Sequence, residues 1–204
     1  MRPVLKVGLT GGLASGKTFV GEALAGYGCL LIQADELGHQ LMEPGGEVYD
    51  RVVAEFGKEI LSGDGRIDRR RLAGMVFAQP ARLELLNSLV HPPVVSREEE
   101  LAAEFAARQP RGIVVVEAAI LIETGSYKRF HRLILVTCAE QQQVERAMRR
   151  DGADEADVRA RLSRQIPLEQ KRKFADFVID TSGSKADTLR QTRAVYEALR
   201  RIES

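Results

Sequence analysis

Residues 11–18 read Gly-Gly-Leu-Ala-Ser-Gly-Lys-Thr, and their glycine spacing decides the fold of this chain. The pattern Gly-x-x-x-x-Gly-Lys-Thr is that of a Walker A loop. An apolar run at residues 4–10 predicts a strand before the loop, and an apolar stripe from Phe19 to Leu24 predicts an amphipathic helix beginning at Thr18. Because a strand, this loop and a helix follow one another directly, the sequence predicts a phosphate-binding P-loop.

The loop has the groups that bind a nucleoside triphosphate. Glycines let successive backbone N–H groups point inward as an anion nest, and the N-terminus of the following helix adds partial positive charge. Lys17 is predicted to reach the β- and γ-phosphates, and the Thr18 hydroxyl to bind Mg²⁺. The alternative is a glycine-rich turn that binds no ligand. The predicted ATP-binding residues of the loop are Gly12, Leu13, Ala14, Ser15, Gly16, Lys17, Thr18 and Phe19.

Short runs rich in valine, isoleucine and leucine recur along the chain. They lie at residues 4–10, 29–32, 112–117 and 133–137, with a weaker run at 177–180. Near-continuous apolar runs are typical of strands covered on both faces, and segments with helical spacing separate them. This alternation predicts a doubly wound α/β fold with a parallel sheet.

Two insertions interrupt the alternation. The first, residues 35–111, is far longer than one crossover helix and contains a turn at 62–65 and a helix opened by Arg69, Arg70 and Arg71. The second is rich in basic residues, and its helical pattern breaks near Gly152 and at Pro167. We therefore predict one domain over residues 1–204, with core segments 1–34, 112–139 and 174–204 and excursions at 35–111 and 140–173.

Composition narrows the class of protein. The 204 residues are 44% apolar and 29% charged, as in a folded chain, and a net charge of +1 predicts neither nucleic acid nor membrane as a partner. No apolar run is long enough to span a bilayer, and no signal peptide is expected.

Cys29 and Cys138 stand alone in apolar stretches, which predicts buried thiols in a reducing cytoplasm. The histidines lack ligand spacing, so no zinc site is predicted.

Acidic residues after the predicted strands favour a kinase over other P-loop proteins. No Asn-Lys-x-Asp stretch for guanine is present. Asp35 follows the second strand, where ligands collect in parallel sheets, and could face an acceptor hydroxyl; a helix N-cap is the alternative. Glu117 ends the third strand and is predicted to order Mg²⁺ as a Walker B residue does. Glu123 is either a site residue or a solvated loop acid.

The chain resembles dephospho-coenzyme A kinases over almost its whole length. Order and spacing of many short motifs carry the resemblance rather than any one of them. They are Gly8-Leu9-Thr10-Gly11-Gly12 with Ser15-Gly16-Lys17, Ala34-Asp35, Phe56-Gly57, Asp64-Gly65 with Arg69 and Leu72, Val76-Phe77, His91-Pro92, Ile120-Leu121 with Glu123, Arg146 to Arg150, Arg161 with Gln165, and Ala175 to Asp180 before Gly183.

The resemblance implies transfer of the γ-phosphoryl group of ATP to the ribose 3′-hydroxyl of dephospho-coenzyme A. It implies a nucleoside-monophosphate-kinase-like core with a five-stranded parallel sheet, an acceptor-binding excursion at 35–111 and a lid at 140–173. Asp35 matches the family's catalytic base, and Lys17 acts with it on the donor side. Arg69 and His91 match acceptor-binding positions, and Arg146 and Arg150 match lid arginines that approach the phosphates.

Several alternatives remain open from the sequence. The lid arginines could be an ordinary charged helix face, part of the arginine triplet could be plain surface, and His91 could cap or pack a helix. Another small-molecule P-loop kinase, acting on a nucleoside or nucleotide, and a nucleotide-binding regulator are the rival functions. No obligate protein partner is evident. The chain departs from the family pattern at Gln33, Ala119 and Thr181, where aspartate, proline and asparagine are usual.

Overall fold

The computed structural model describes residues 4–77 and 79–202, with only the backbone of Phe77. The outermost limits of the predicted domain, at residues 1–3 and 203–204, and the Phe77 side chain therefore lie outside the described residues. No helix in the described part of the chain is long and apolar enough to cross a membrane.

Five strands of the described chain form one parallel sheet, which confirms the predicted fold class. The strand order is β2-β3-β1-β4-β5, so β1, which leads into the P-loop, lies in the middle. Predicted strand limits agree with the observed ones to within one residue. The strands are β1 (Leu5–Gly11), β2 (Leu30–Gln33), β3 (Ile113–Glu117), β4 (Arg132–Thr137) and β5 (Phe177–Asp180).

Burial on both faces explains why the strand sequences are so apolar. Every residue of β3 is buried, and Val7 and Leu9 of β1 are fully covered. Helix α1 (Lys17–Gly26) buries Val20, Gly21 and Leu24, of which Val20 and Leu24 belong to the same core cluster as Val7 and Leu9. The α-helices that follow β4 along the chain are α6 (Glu140–Asp151), α7 (Glu155–Leu162), α8 (Leu168–Lys171) and α9 (Lys185–Ile202).

The chain divides into two compact units, and residues 34–101 form the second. Its helices are α2 (Ala34–Leu41), α3 (Tyr49–Phe56), α4 (Arg69–Phe77) and α5 (Pro80–Arg108), the last of which continues into the first unit. Val52, Phe56 and Ile60 lie at the centre of its own apolar cluster. On α5, the apolar side chains at helical spacing that pack against this cluster are Leu83, Leu86, Leu89 and Val90.

The structure rules out two of the alternatives for single residues. Asp35 lies inside the first turn of α2, which begins at Ala34, so it is not the N-cap of that helix. His91 lies in the interior of α5 before Pro92 and Pro93, so it does not cap a helix end. The predicted buried cysteines are confirmed, because Cys29 and Cys138 are both buried free thiols.

Candidate active site

The P-loop runs from the end of β1 to the start of α1 with two left-handed residues. Gly16 has φ of +89° and Ala14 has φ of +51°. Such values bend the backbone back on itself, and glycine adopts them without a steric penalty. Gly11 is required for another reason, since a Cβ there would lie 2.4 Å from the carbonyl oxygen of Val136 on the neighbouring strand β4. The loop thus has the tight backbone that the Walker A pattern predicts.

Lys17 folds back over the loop. Its Nζ donates a hydrogen bond to the carbonyl oxygen of Gly12 at 3.0 Å, and its side chain is half-buried. The ammonium therefore lies at the loop that is predicted to hold phosphates. Lys17 is the one charged residue among residues 11–18, so removing it would leave this loop without a formal positive charge.

The two predicted metal residues meet beside the loop. Thr18 Oγ1 donates to Glu117 Oε1 at 3.0 Å, and Glu117 is buried at the end of β3. Gln33, at the end of the adjacent strand β2, donates through Nε2 to the other oxygen, Oε2, at 3.3 Å. The family pattern has aspartate at position 33. Gln33 therefore holds the Glu117 carboxylate by a hydrogen bond, whereas an aspartate would add a second negative charge.

Two glutamines hold the outer part of the P-loop, although no pattern in the sequence predicts a role for either. Gln143 of α6 donates through Nε2 to the Leu13 carbonyl oxygen at 2.7 Å. The Leu13 N–H donates to Gln165 Oε1 at 3.0 Å. Both sides of one P-loop residue are thus bonded to the segment between β4 and β5, which is the predicted lid. The one signal in the sequence for Gln165 was that it forms a family motif together with Arg161.

Arg146 is joined to the P-loop through Thr181. Its Nη1 and Nη2 donate to Thr181 Oγ1 and to the Thr181 carbonyl oxygen at 3.0 and 2.8 Å. Thr181 Oγ1 in turn donates to the carbonyl oxygen of Ser15 at 2.8 Å. The threonine at this position, where asparagine is usual in the family, therefore couples a predicted phosphate-binding arginine to the loop backbone.

Arg150 lies on the same helix but bonds elsewhere. Its Nε donates to Asp151 Oδ1 at 2.6 Å, and Arg161 of α7 donates to Asp151 Oδ2 at 2.7 Å. Hydrogen bonds from Arg150 and then Arg161 lower the pKa of Asp151 to about 2, so this carboxylate is ionised at neutral pH. The structure thus brings Arg146 to the P-loop and shows Arg150 paired within the predicted lid.

The thiol of Cys138, the residue after β4, has a pKa that is affected by nearby charged residues. Burial raises the pKa of its thiol, while the positive charges of Arg146 and Lys17 and a hydrogen bond with Thr181 lower it. Burial is the largest effect, so the thiol stays protonated at neutral pH. Arg146 and Lys17 are thus both near enough to this thiol, just after β4, to affect its pKa.

Glu123 is not a solvated loop acid, and that alternative is wrong. Its side chain is 18% exposed and pairs at 2.6 Å with Nζ of Lys171, which is completely buried. The Ile166 N–H also donates to Glu123, at 3.4 Å. An ion pair removed from water is costly to break on one side only. Glu123 therefore anchors the base of the predicted lid to the loop after β3.

In the second unit, Asp35 and His91 are electrostatic neighbours. Partial burial lowers the pKa of His91, and the negative charge of Asp35 opposes that effect. Helices α2 and α5 pack closely here, because a Cβ added at Gly38 would lie 3.6 Å from Val90 and Val94 side-chain atoms. Both Asp35 and His91 retain exposed surface. Arg69, the other predicted acceptor-binding residue, lines a cavity of this unit.

Comparisons with known proteins point to one family. The sequence model of the dephospho-CoA kinase family matches residues 5–187. A dephospho-CoA kinase of Thermobifida fusca is 40% identical over 97% of this chain and 98% of its own. A solved structure from Thermus thermophilus is 33% identical, with a TM-score of 0.81 over 97% of this chain and 98% of its own. A dephospho-CoA kinase from Campylobacter jejuni, 24% identical with a TM-score of 0.70 over 98% and 100%, has the same fold.

Proposed function

The chain belongs to the dephospho-CoA kinase family, and on this premise we propose how its residues phosphorylate the ribose 3′-hydroxyl of dephospho-CoA with ATP. The enzyme is an ATP-dependent kinase, and the product is coenzyme A. The observation that best supports the proposed site is the contact of Thr18 with Glu117 beside a Walker A loop. Neither rival function, another small-molecule kinase or a nucleotide-binding regulator, is favoured by the relatives.

Charge neutralisation is the main task of the P-loop residues. Phosphoryl transfer involves little covalent chemistry by the protein, so positioning and electrostatics dominate. Lys17 and the loop amides bind the β- and γ-phosphates, with Thr18 and Phe19 at the start of α1 completing the contact. Arg146 adds positive charge from the side of Thr181. Arginine suits this role because its planar fork grips two oxygens and stays charged.

Thr18 and Glu117 fit a magnesium ion. A hydroxyl and a carboxylate are the hard oxygen ligands that Mg²⁺ takes, usually together with waters and phosphate oxygens. When bound, the ion neutralises part of the phosphate charge. Gln33 orients the Glu117 carboxylate through its hydrogen bond to Oε2. We propose Thr18 and Glu117 as the residues that hold the ion or its waters.

Asp35 is the proposed base on the acceptor side. It is exposed in the first turn of α2, and the lowered pKa of His91 leaves that imidazole neutral at pH 7 and above. His91 therefore does not neutralise Asp35 as an ion pair at these pH values. The Asp35 carboxylate can orient the 3′-hydroxyl and accept its proton late in the transfer. Arg69 and His91 are proposed to bind the rest of the acceptor.

Mass spectrometry tests the proposed reaction directly. Dephospho-CoA incubated with enzyme, Mg²⁺ and ATP should gain one phosphate, whereas parallel incubations with uridine and AMP should show far less product. Fragmentation should place the new phosphate on the ribose 3′-oxygen. Binding of ATP without acceptor-dependent release of ADP would instead indicate a regulator.

We also propose that the enzyme acts alone in the cytoplasm on small molecules. A net charge of +1 creates no general attraction to nucleic acid or to anionic lipid. Buried free thiols suit a reducing compartment. ATP and dephospho-CoA are its proposed binding partners, with no obligate protein subunit.

Glu117→Gln is expected to raise the Mg²⁺ concentration for half-maximal turnover about 10-fold or more. The amide keeps the size of the carboxylate but loses its charge, and supporting ligands of metal sites typically alter affinity by 10–100-fold. Turnover is measured against free Mg²⁺ at saturating substrates, and Mn²⁺ binding is followed in parallel by its paramagnetic signal. Glu22→Gln, on the exposed face of α1, is the control. An unchanged metal dependence for Glu117→Gln would remove this residue from the magnesium site.

ATP is expected to slow hydrogen exchange across residues 140–173. The buried apolar side chains there are the small cluster of Val144, Ala147 and Val158, which packs against Leu13 and Ala14 of the P-loop. Few buried contacts mean low local stability, and phosphates would relieve repulsion among the clustered arginines. Exchange is compared with and without ATP, using Lys17→Ala as a control in which ATP should have little effect. Equal protection in both states would count against a closing lid.

A further inference from the structure

A cavity in the second unit is lined mainly by residues to which no role has been given, Arg69 being the exception. Its volume is about 190 Å³, and it lies among α2, α4 and α5. Seven of its lining side chains are apolar: Met42, Ile67, Leu72, Ala73, Val76, Leu83 and Leu86. Sites for drug-sized ligands typically measure about 300–1,000 Å³. The cavity therefore fits an apolar portion of a ligand rather than a whole nucleotide.

The polar residues of the cavity favour an anion. Arg69 is exposed and forms no ion pair with any described residue, whereas Arg71, two positions on, pairs with Asp68 at 3.3 Å and donates to the Leu61 carbonyl oxygen at 2.7 Å. Glu43, which also lines the cavity, pairs with Arg66 at 3.6 Å, and Arg66 in turn also pairs with Asp64 at 3.8 Å. Arg69 thus places an exposed guanidinium, which forms no ion pair with a described residue, beside an apolar lining.

Helix α2 aligns the cavity with the proposed base. Asp35 and His39 are four residues apart and share one face of the helix, about 6 Å apart along its axis. His39 lines the cavity, and Met42, on the turn that follows, lies about 10 Å along the same axis from Asp35. His39 also approaches Glu36 at 3.5 Å, which orients the imidazole. One face therefore presents a carboxylate, an imidazole and then an apolar cavity.

We propose that this cavity binds the dimethyl-bearing end of the pantetheine arm of dephospho-CoA, with Arg69 and His39 contacting the adjacent diphosphate. The proposal rests on the proposed function. In the acceptor the ribose hydroxyl, the diphosphate and the branched apolar carbon follow one another, as Asp35, the polar rim and the cavity do along α2. Because nucleotides lack the arm, the cavity is the element that distinguishes dephospho-CoA from AMP and other armless acceptors.

Filling the cavity tests the proposal. Ala73 of α4 lines the cavity. Ala73→Leu therefore places a larger, branched side chain in the space that the pantetheine arm is proposed to occupy. We expect the KM for dephospho-CoA and the inhibition constant of 4′-phosphopantetheine to rise together by roughly 10-fold, the worth of two buried methyl groups. The KM for ATP should not change. Ala81→Leu, at an exposed position of α5, is the matched control.

If Ala73→Leu melts well below the wild type, a second variant tests whether the cavity binds the pantetheine arm. Arg69→Gln removes the charge at the rim from an exposed position, and it should weaken 4′-phosphopantetheine about 10-fold or more. Arg70→Gln, its exposed neighbour outside the cavity, is the control. No inhibition of the wild type by 4′-phosphopantetheine, or unchanged inhibition in both variants, would overturn the proposal. If the wild type made no coenzyme A from dephospho-CoA, the proposed function itself would fail, which is a different result.

Discussion

Lys17→Ala is expected to reduce phosphoryl transfer about 1,000-fold or more while leaving the fold intact. Removing one preorganised donor from a charge-stabilising site typically costs about 10²–10³-fold in turnover, and Lys17 adds a full charge to that donor. The fold should survive because the side chain is only half-buried, and it donates a hydrogen bond to a backbone oxygen, the Gly12 carbonyl, rather than filling the apolar core. That oxygen can be hydrated after the substitution.

Single-turnover transfer and thermal melting measure these two expectations separately. Lys128→Ala, an exposed lysine in a short turn before β4, should behave as the wild type in both measurements. Near-normal turnover by Lys17→Ala in a folded protein would remove the lysine from the phosphate site and with it the proposed use of the P-loop.

Asp35→Asn is expected to reduce turnover by about 10²–10⁴-fold, the usual range of general-base contributions, with little change in ATP affinity. A free aspartate has a pKa near 3.9 and is a weak base for an alcohol in the ground state. In a loose transition state the hydroxyl loses its proton late, so an ionised carboxylate first orients it and then accepts the proton. Asparagine keeps the size but offers no negative charge to the hydroxyl.

Single-turnover phosphate transfer and equilibrium ATP binding should be measured on the same protein. Asp50→Asn, an exposed aspartate in the first turn of α3, is the matched control. If Asp35→Asn kept its chemical step but lost ATP, Asp35 would belong to the magnesium site. Glu117 would then be the better candidate for the base.

Local pattern was enough to predict the sheet and the P-loop. The apolar runs predicted all five strands to within one residue, and the relatives confirm the family that the ordered motifs indicated. The pairing of Thr18 with Glu117 also agrees with the sequence, because the carboxyl ends of adjacent parallel strands meet at one edge. The roles of Asp35, Arg69, Arg146, Arg150 and His91 stay predictions.

The bonds that hold the P-loop from outside could not be predicted in this way. Gln143 and Gln165 are 130 and 152 residues from Leu13 in sequence, and neither belongs to a motif with its own chemical meaning. Thr181 was noted only as a departure from the family, yet it bonds both Arg146 and the Ser15 carbonyl oxygen. Glu123 could not be told from a surface acid until buried Lys171 was found beside it.

By itself, therefore, the sequence determined the fold class, the phosphate-binding loop and the kinase family, because each depends on spacing within one strand, turn or helix and on the order of such segments. Only the tertiary structure decided which polar side chains support the loop, that Gln33 holds Glu117, and that Arg69 lines an apolar cavity. These depend on helices and loops packed together from distant parts of the chain. A side chain's hydrogen-bond partner or cavity is defined only after that packing, whereas hydrophobic period and glycine spacing are properties of the chain itself.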